Sequence, residues 1–133
     1  MGGKSDTLPL VHMLDAIEQF ESFLGPDLTA YGLADDRLRR AAVERTVEII
    51  SEASRRLPKA WKERFPDLPW SQIAGIGNVL RHGYEWVDLQ IIVGLRDEGH
   101  LSRFKDAVET LLAEEEPNWR LLRAERKTNL DRG

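Results

Sequence analysis

Apolar residues recur at helical spacing along most of this chain, and that periodicity constrains the fold more than any other feature. The first such face ends before Gly25-Pro26 and consists of Leu10, Met13, Leu14, Ile17, Phe20 and Leu24. The segment 87–95 fits either a buried strand or a short helix. We assign it to a helix capped by Asp88, because the sequence offers no second strand with which it could pair. The pattern predicts an all-α fold, an up-and-down bundle of four to six helices.

Two more long helices follow from the same spacing. Asp35 or Asp36 is expected to cap a helix that runs to about Leu57 and buries Leu38, Ala42, Thr46, Ile49, Ala53 and Leu57, widened by Val43 and Ile50. The last helix, about 97–116, presents Leu101, Phe104, Val108, Leu111 and Leu112. We therefore predict a flexible N-terminus over 1–7, a helical domain over 8–116 and a polar C-terminal tail over 117–133 that frays.

Composition narrows the class of protein. The 133 residues are enough for one domain with a hydrophobic core, and no apolar run approaches the roughly 20 residues that span a bilayer. The absence of cysteine excludes a disulfide framework and fits a reducing compartment, so we expect a cytoplasmic protein without membrane association. The net charge of -4 argues against broad nucleic-acid binding but allows a small site that handles one phosphate.

The sequence gives little support for a metal site or a cofactor site. The histidines are scattered singly at His12, His82 and His100. One predicted helix carries a stripe of carboxylates at Glu44, Glu48 and Glu52. These carboxylates could approach a metal, but pairing with the arginines of the same helix is the favoured interpretation. We expect neither a metal nor a cofactor.

The segment 73–84 joins an apolar helix face to a histidine and a tyrosine. Gly83 is a typical residue just past a helix end, which places His82 in the last turn and Tyr84 beyond it. A bend at Gly83 could bring both side chains into one pocket. Alternatively, His82 is a solvated helix-end residue and Tyr84 a half-buried loop aromatic. In either case the core face of this helix should be Trp70, Ile73, Ile76 and Leu80.

His82 is the residue best suited to acid–base chemistry without a metal. A histidine can take the proton of an RNA 2′-hydroxyl, which then attacks the adjacent phosphorus. The reaction also needs a cation and a proton donor for the leaving oxygen. Arg81 is the nearest cation in sequence, but it projects about 100° away from His82 around a helix. Because one chain supplies one suitable histidine, a two-fold dimer would complete the acid–base pair.

Three segments resemble one family. Leu68-Pro69-Trp70 through Gly75, followed by Asn78, His82, Gly83-Tyr84 and Asp88, resembles the HepT-like ribonuclease toxins of the HEPN superfamily. Their signature is an arginine, four to six residues, a histidine, one residue and a tyrosine. The segment 42–54 resembles the long helix of that family, and 10–24 resembles its first helix. The resemblance covers roughly residues 8–116.

The resemblance implies an all-helical homodimer that cleaves RNA without metal at a composite interface site. It also implies a nucleotidyltransferase antitoxin that attaches AMP to the motif tyrosine. Carried over by position, His82 is the catalytic histidine, Tyr84 the modified residue and Asn78 a supporting polar residue. Glu52 would support the site from the neighbouring helix.

One position departs from the motif. With four residues between it and His82, the motif arginine falls on Gly77. Arg81 could supply the missing cation, which would make it catalytic together with His82 and Asn78. Alternatively, the chain is a catalytically degenerate interaction module that binds a nucleotidyltransferase. A weaker third hypothesis is a helical dimer that binds a nucleotide as a ligand.

Overall fold

All regular structure in the described part of the chain is helical. The computed structural model describes residues 4–80 and 85–132, with side chains over 7–80 and 85–129. In chain order the helices are α1 (Lys4–Leu24), α2 (Ala30–Ala34), α3 (Arg37–Arg56), α4 (Lys59–Glu63), α5 (Trp70–Leu80), α6 (Glu85–Asp97), α7 (His100–Glu115) and α8 (Trp119–Arg132). No strand occurs in the two described ranges, which confirms the all-α prediction.

Eight helices are described, whereas the sequence predicted four to six. Two of the additional helices, α2 and α4, have five residues each. The sequence predicted a short helical turn or a loop over 26–33, and an irregular stretch from Pro58 onward. The hydroxyl of Thr29 caps α2 by accepting the Gly32 amide at 3.1 Å. Helices of five residues are too short to leave a periodic apolar pattern in the sequence.

The core forms where α1 packs along α3 and α7, and where α3 packs on α5. The predicted face of α1 is confirmed: all six of its residues are at most 1% exposed. The predicted apolar residues of α7 are likewise buried, at most 2% exposed. Periodicity located these faces because each helix presents a single buried stripe.

The predicted face of α3 is wrong at its beginning. Leu38 is 83% exposed, and the fully buried apolar residues of this helix are Val43, Val47 and Ile50. Leu38 lies five residues before Val43, about 140° around the helix. The cap at Asp36 is confirmed, because its carboxylate accepts the Arg39 amide at 3.0 Å.

In α5, Ile73 and Ile76 are buried as predicted, whereas Trp70 and Leu80 are only partly buried. The segment 87–95 belongs to the helix α6, as predicted, but Asp88 is not its cap. It is the fourth residue of α6 and 7% exposed. Its Oδ1 is buried without a hydrogen-bond partner among the described residues. The helix begins earlier because Glu85-Trp86-Val87 continue it, with Glu85 in the first turn where negative charge is favoured.

Helices extend into both terminal segments of the described chain. The helix α8 lies within the predicted tail 117–133, and α1 begins at Lys4 within the predicted N-terminal segment 1–7. Trp119 is 5% exposed, and Arg123 donates to Asp15 on α1 at 2.7 Å. A long-range ion pair and one buried aromatic side chain therefore hold α8 against α1. Neither interaction produces a periodic pattern in the local sequence. Within the described ranges, no helix is long and apolar enough to cross a membrane.

Candidate active site

The helix that leads into the His-x-Tyr segment is α5, and its described part ends at Leu80. Arg81, His82 and Tyr84 lie outside the described residues, so their roles stay predictions. The structure does describe the frame around them. That frame consists of α5, the first turn of α6 and the side of α3 that packs on α5.

Small residues line the contact between α3 and α5. The Ser51 hydroxyl on α3 is buried and donates to the Ala74 carbonyl oxygen on α5 at 2.8 Å. A Cβ built on Gly77 would lie 3.5 Å from the Oγ of Ser51, in ordinary van der Waals contact. Gly77 is itself buried. The position where the motif carries an arginine therefore faces α3.

A guanidinium group lies at the same turn of α5. Arg55 Nη1 donates to the Ala74 carbonyl oxygen at 2.7 Å and to Ser51 Oγ at 3.0 Å. The side chain of Arg55 is exposed and forms no ion pair with any described residue. Sequence reasoning missed this residue. The available signal was the spacing of Ser51 and Arg55, four positions apart on one helix face, but the partner on α5 is non-local.

The two described residues of the predicted site lie on different elements and are not joined. Asn78 is exposed on the last described turn of α5. Glu52 accepts a hydrogen bond from Arg56 at 3.0 Å, and it lines a cavity of about 350 Å³ between α1 and α3. The structure thus places Asn78 on the last described turn of α5 and Glu52 on α3, facing the cavity with α1.

The carboxylates of α3 are paired with arginines, as the sequence analysis favoured. The pairs are Arg40 with Glu44 at 3.1 Å, Arg45 with Glu48 at 3.2 Å and Arg56 with Glu52 at 3.0 Å. No group of three or more potential metal ligands of the His, Cys, Asp or Glu type occurs in the part of the chain that the structure describes.

His12 lines the same α1–α3 cavity as Glu52. Burial and the positive charge of Arg126 lower the pKa of His12, and the opposing effect of Asp15 is smaller. A neutral histidine can act as a base. However, this cavity opens between α1 and α3, and none of the residues that line it belongs to α5.

Two aromatic side chains lie near the start of α6. The ring centroids of Tyr31 and Trp86 are 4.6 Å apart, and the side chains are 73% and 40% exposed. The neighbouring Glu85 accepts a hydrogen bond from Arg40, which ties α6 to α3. On its other side α6 borders an apolar groove of about 590 Å³ against α5. Exposed apolar surface therefore flanks the two ends of the undescribed segment 81–84.

A family comparison covers most of this framework. The family described as "Ribonuclease HepT-like" matches residues 13–111, which include α2 to α6 and most of α1 and α7. A match of this extent, together with the all-helical fold, defines the class of protein. The chain belongs to the HepT-like ribonuclease family.

Curated relatives point the same way. The chain is similar to "Probable ribonuclease HepT" of Thermococcus cleftensis, with 32% identity over 62% of this chain and 74% of that protein. It is 41% identical to "Putative RNase MJ1380" of Methanocaldococcus jannaschii over 41% of this chain and 50% of that protein. It is 45% identical to "Putative RNase TTE0752" of Caldanaerobacter subterraneus over 44% of this chain and 51% of that protein.

The chain thus spans about half the length of two of these relatives and about three quarters of the third. No solved structure matches it. The family membership supports a ribonuclease role.

Proposed function

We propose that this protein is a metal-independent endoribonuclease in which His82 is the catalytic base. The observation that carries the proposal is the family match over 13–111, which contains the His82-Gly83-Tyr84 element directly after α5. Histidine is suited to this role because its ordinary pKa lies near neutrality.

In the proposed reaction His82 takes the proton of a ribose 2′-hydroxyl. The 2′-oxygen attacks the adjacent phosphorus, and the bond from phosphorus to the 5′-oxygen of the next nucleotide breaks. A proton donor protonates that leaving oxygen, which gives a 2′,3′-cyclic phosphate and a free 5′-hydroxyl. The His82 of a second copy supplies the proton if the protein is a homodimer with a composite site.

Three further residues support this chemistry in the proposal. Arg81 supplies positive charge to the phosphorane, and Asn78, exposed on the last described turn of α5, supplies a polar contact. Glu52 acts from α3, where it holds Arg56 at 3.0 Å.

We also propose that the protein is the toxin of a toxin–antitoxin pair. Its antitoxin would be a nucleotidyltransferase that transfers AMP from ATP to the Tyr84 oxygen and releases pyrophosphate. The added phosphate is negatively charged and lies two residues from His82, so it would repel an RNA phosphate. Co-expression with a nucleotidyltransferase should therefore restore growth and add the mass of one adenylyl group to Tyr84.

The proposal is tested by incubating RNA with the purified protein in the presence of EDTA. We expect wild-type protein to cleave the RNA, His82→Ala to have no activity and Arg81→Ala to lose most of it. His100→Ala is the matched control, because His100 lies at the start of α7 and forms hydrogen bonds with Glu98 and Arg103, and it should remain active. Cleavage that persists in both His82→Ala and Arg81→Ala would refute the site assignment.

One observation favours a second candidate function. Gly77 occupies the motif arginine position and is packed against Ser51, so this chain lacks the usual cation there. The alternative is a catalytically degenerate module that binds a nucleotidyltransferase. In that case wild-type protein cleaves no RNA, and Gly77→Arg creates or strongly raises cleavage.

A further inference from the structure

The positively charged guanidinium group of Arg55 lies at the contact between α3 and α5. Arg55 reaches across from α3 and is anchored by two hydrogen bonds from Nη1, to Ala74 O at 2.7 Å and Ser51 Oγ at 3.0 Å. In the helix α5 the Ala74 carbonyl is also the acceptor for the Asn78 amide. The guanidinium therefore lies beside the turn that carries Gly77 and Asn78.

The charge of Arg55 is not neutralised within the described structure. Other arginines of α3 are paired with carboxylates, as Arg45 is with Glu48 and Arg56 is with Glu52. Arg55 has no such partner among the described residues, and its described hydrogen bonds come from Nη1 alone. Nε and Nη2 are thus left as donors on an exposed side chain.

Gly77 lies close to the residue that anchors Arg55. A Cβ at residue 77 would lie 3.5 Å from Ser51 Oγ, and Arg55 Nη1 donates to that same oxygen at 3.0 Å. Arg55 and a side chain at position 77 would therefore share Ser51 as a neighbour.

We infer that Arg55 is an additional catalytic residue that binds the phosphate of the RNA at the cleavage site. The inference rests on the proposed ribonuclease function. A guanidinium suits this ligand because its planar array of donors binds two phosphate oxygens at once. Anchoring by Nη1 orients the remaining donors before RNA binds, which increases their value to the transition state.

The test compares cleavage of a short RNA in EDTA by wild type, Arg55→Ala, Arg55→Lys and the double variant Arg55→Ala/Gly77→Arg. We expect Arg55→Ala to lower kcat/KM about 100-fold, the order found when one transition-state donor is removed. Arg55→Lys keeps the charge and should retain intermediate activity. The double variant returns a guanidinium to the same surface and should recover at least part of the lost activity.

Arg37→Ala is the matched control, because Arg37 is an exposed arginine of α3 without an ion pair among the described residues. It should leave kcat/KM unchanged. If Arg55 only joined the two helices, Arg55→Ala would lower the melting temperature, and its kcat/KM, measured well below that temperature, would equal that of Arg37→Ala. Cleavage by Arg55→Ala equal to that by Arg37→Ala would overturn the inference and leave the proposed function standing.

A binding measurement distinguishes failure of the inference about Arg55 from failure of the proposed ribonuclease function. An RNA oligonucleotide with 2′-O-methyl groups cannot be cleaved, and its Kd is measured by fluorescence anisotropy over a range of salt. Arg55→Ala should weaken binding and reduce the salt slope by about 0.7, the value for one phosphate contact on a single strand. If the wild-type protein cleaves no RNA, the proposed function is refuted. If Arg55→Ala has the same salt slope as wild type, or if the wild-type protein does not bind the oligonucleotide, the inference is overturned.

Discussion

Gly77 combines two properties that rarely occur together in a helix. It lies inside α5, where glycine weakens the helix by about 1 kcal/mol relative to alanine. It is also buried against Ser51 of α3, where an added Cβ would lie 3.5 Å from Oγ, an ordinary contact. The backbone at this position is ordinary helix, and positive φ among the described residues occurs only at Gly25 and Gly99. Neither the backbone conformation nor the space for a Cβ therefore requires a glycine at this position.

Gly77→Ala should raise the free energy of unfolding by about 1 kcal/mol, measured by urea denaturation. The new Cβ would lie 3.5 Å from Ser51 Oγ, an ordinary contact that requires no movement of α3. Gly75→Ala is the control, because a Cβ there meets nothing within 4 Å. Gly75→Ala should raise the free energy of unfolding by a similar amount. A loss of stability in Gly77→Ala alone would show that α3 and α5 tolerate no added atom.

At the scale of elements, α8 is held to α1 mainly by one arginine and one aromatic side chain. Arg123 is bonded to both Asp15 and Glu18, and Trp119 is buried beside them. Burial alone would raise the pKa of Glu18, but the hydrogen bond and charge of Arg123 outweigh it, and the pKa is lowered. The same carboxylates raise the pKa of Arg123.

Arg123→Ala should destabilise the protein at pH 7 by about 1–2 kcal/mol, since the pair is partly screened by solvent. The pKa of Glu18 is lower in the folded state, so the stabilisation is fully present above the unfolded pKa of about 4.3 and is lost as pH falls through the folded pKa. Urea denaturation at pH 7 and pH 3 should show a smaller difference from wild type at pH 3.

Arg120→Ala is the control for this prediction. Arg120 lies on α8 next to Trp119 but is largely exposed, and its distance to Glu109 is 3.9 Å. It should change the stability by less than about 0.5 kcal/mol at either pH. An equal loss in both variants would show that Trp119, and not the ion pair, holds α8 in place.

At the scale of the whole molecule, we predict that the proposed reaction uses two chains. Each chain has one histidine in the motif, His82, which follows α5 in the sequence, whereas the reaction needs a base and an acid. Exposed apolar side chains border this end of the molecule, among them Val79, Trp86 and Val87. An interface between two copies at this place would cover them and join the two histidines.

Light scattering at micromolar concentration should give the mass of a homodimer. The chain contains no cysteine, so Asn78→Cys adds a single thiol that a short bismaleimide should cross-link across the interface. Ser71→Cys, at the opposite end of α5, is the matched control and should not cross-link. A monomer by light scattering, or equal cross-linking of both variants, would contradict the composite site.

Local patterns in the sequence were sufficient to predict much of the fold. The buried faces of α1 and α7 follow from spacing, because each helix contributes one apolar stripe to the core. The predictions of a cap at Asp36 and of a helix over 87–95 also used short sequence patterns only, and both are confirmed. The family was also recognisable from three short segments in their order along the chain, and the family match confirms it.

The sequence by itself therefore determined that this chain is helical, where its main helices bury their apolar faces, and to which family it belongs. Only the tertiary structure decided that Leu38 faces solvent, that α8 packs on α1 through Arg123, and that Arg55 is bonded to Ala74 of α5. The reason is the separation along the chain of the groups involved. Helical periodicity reports which residues share a face, but contacts such as that between Arg55 and Ala74 exist only after two helices have packed.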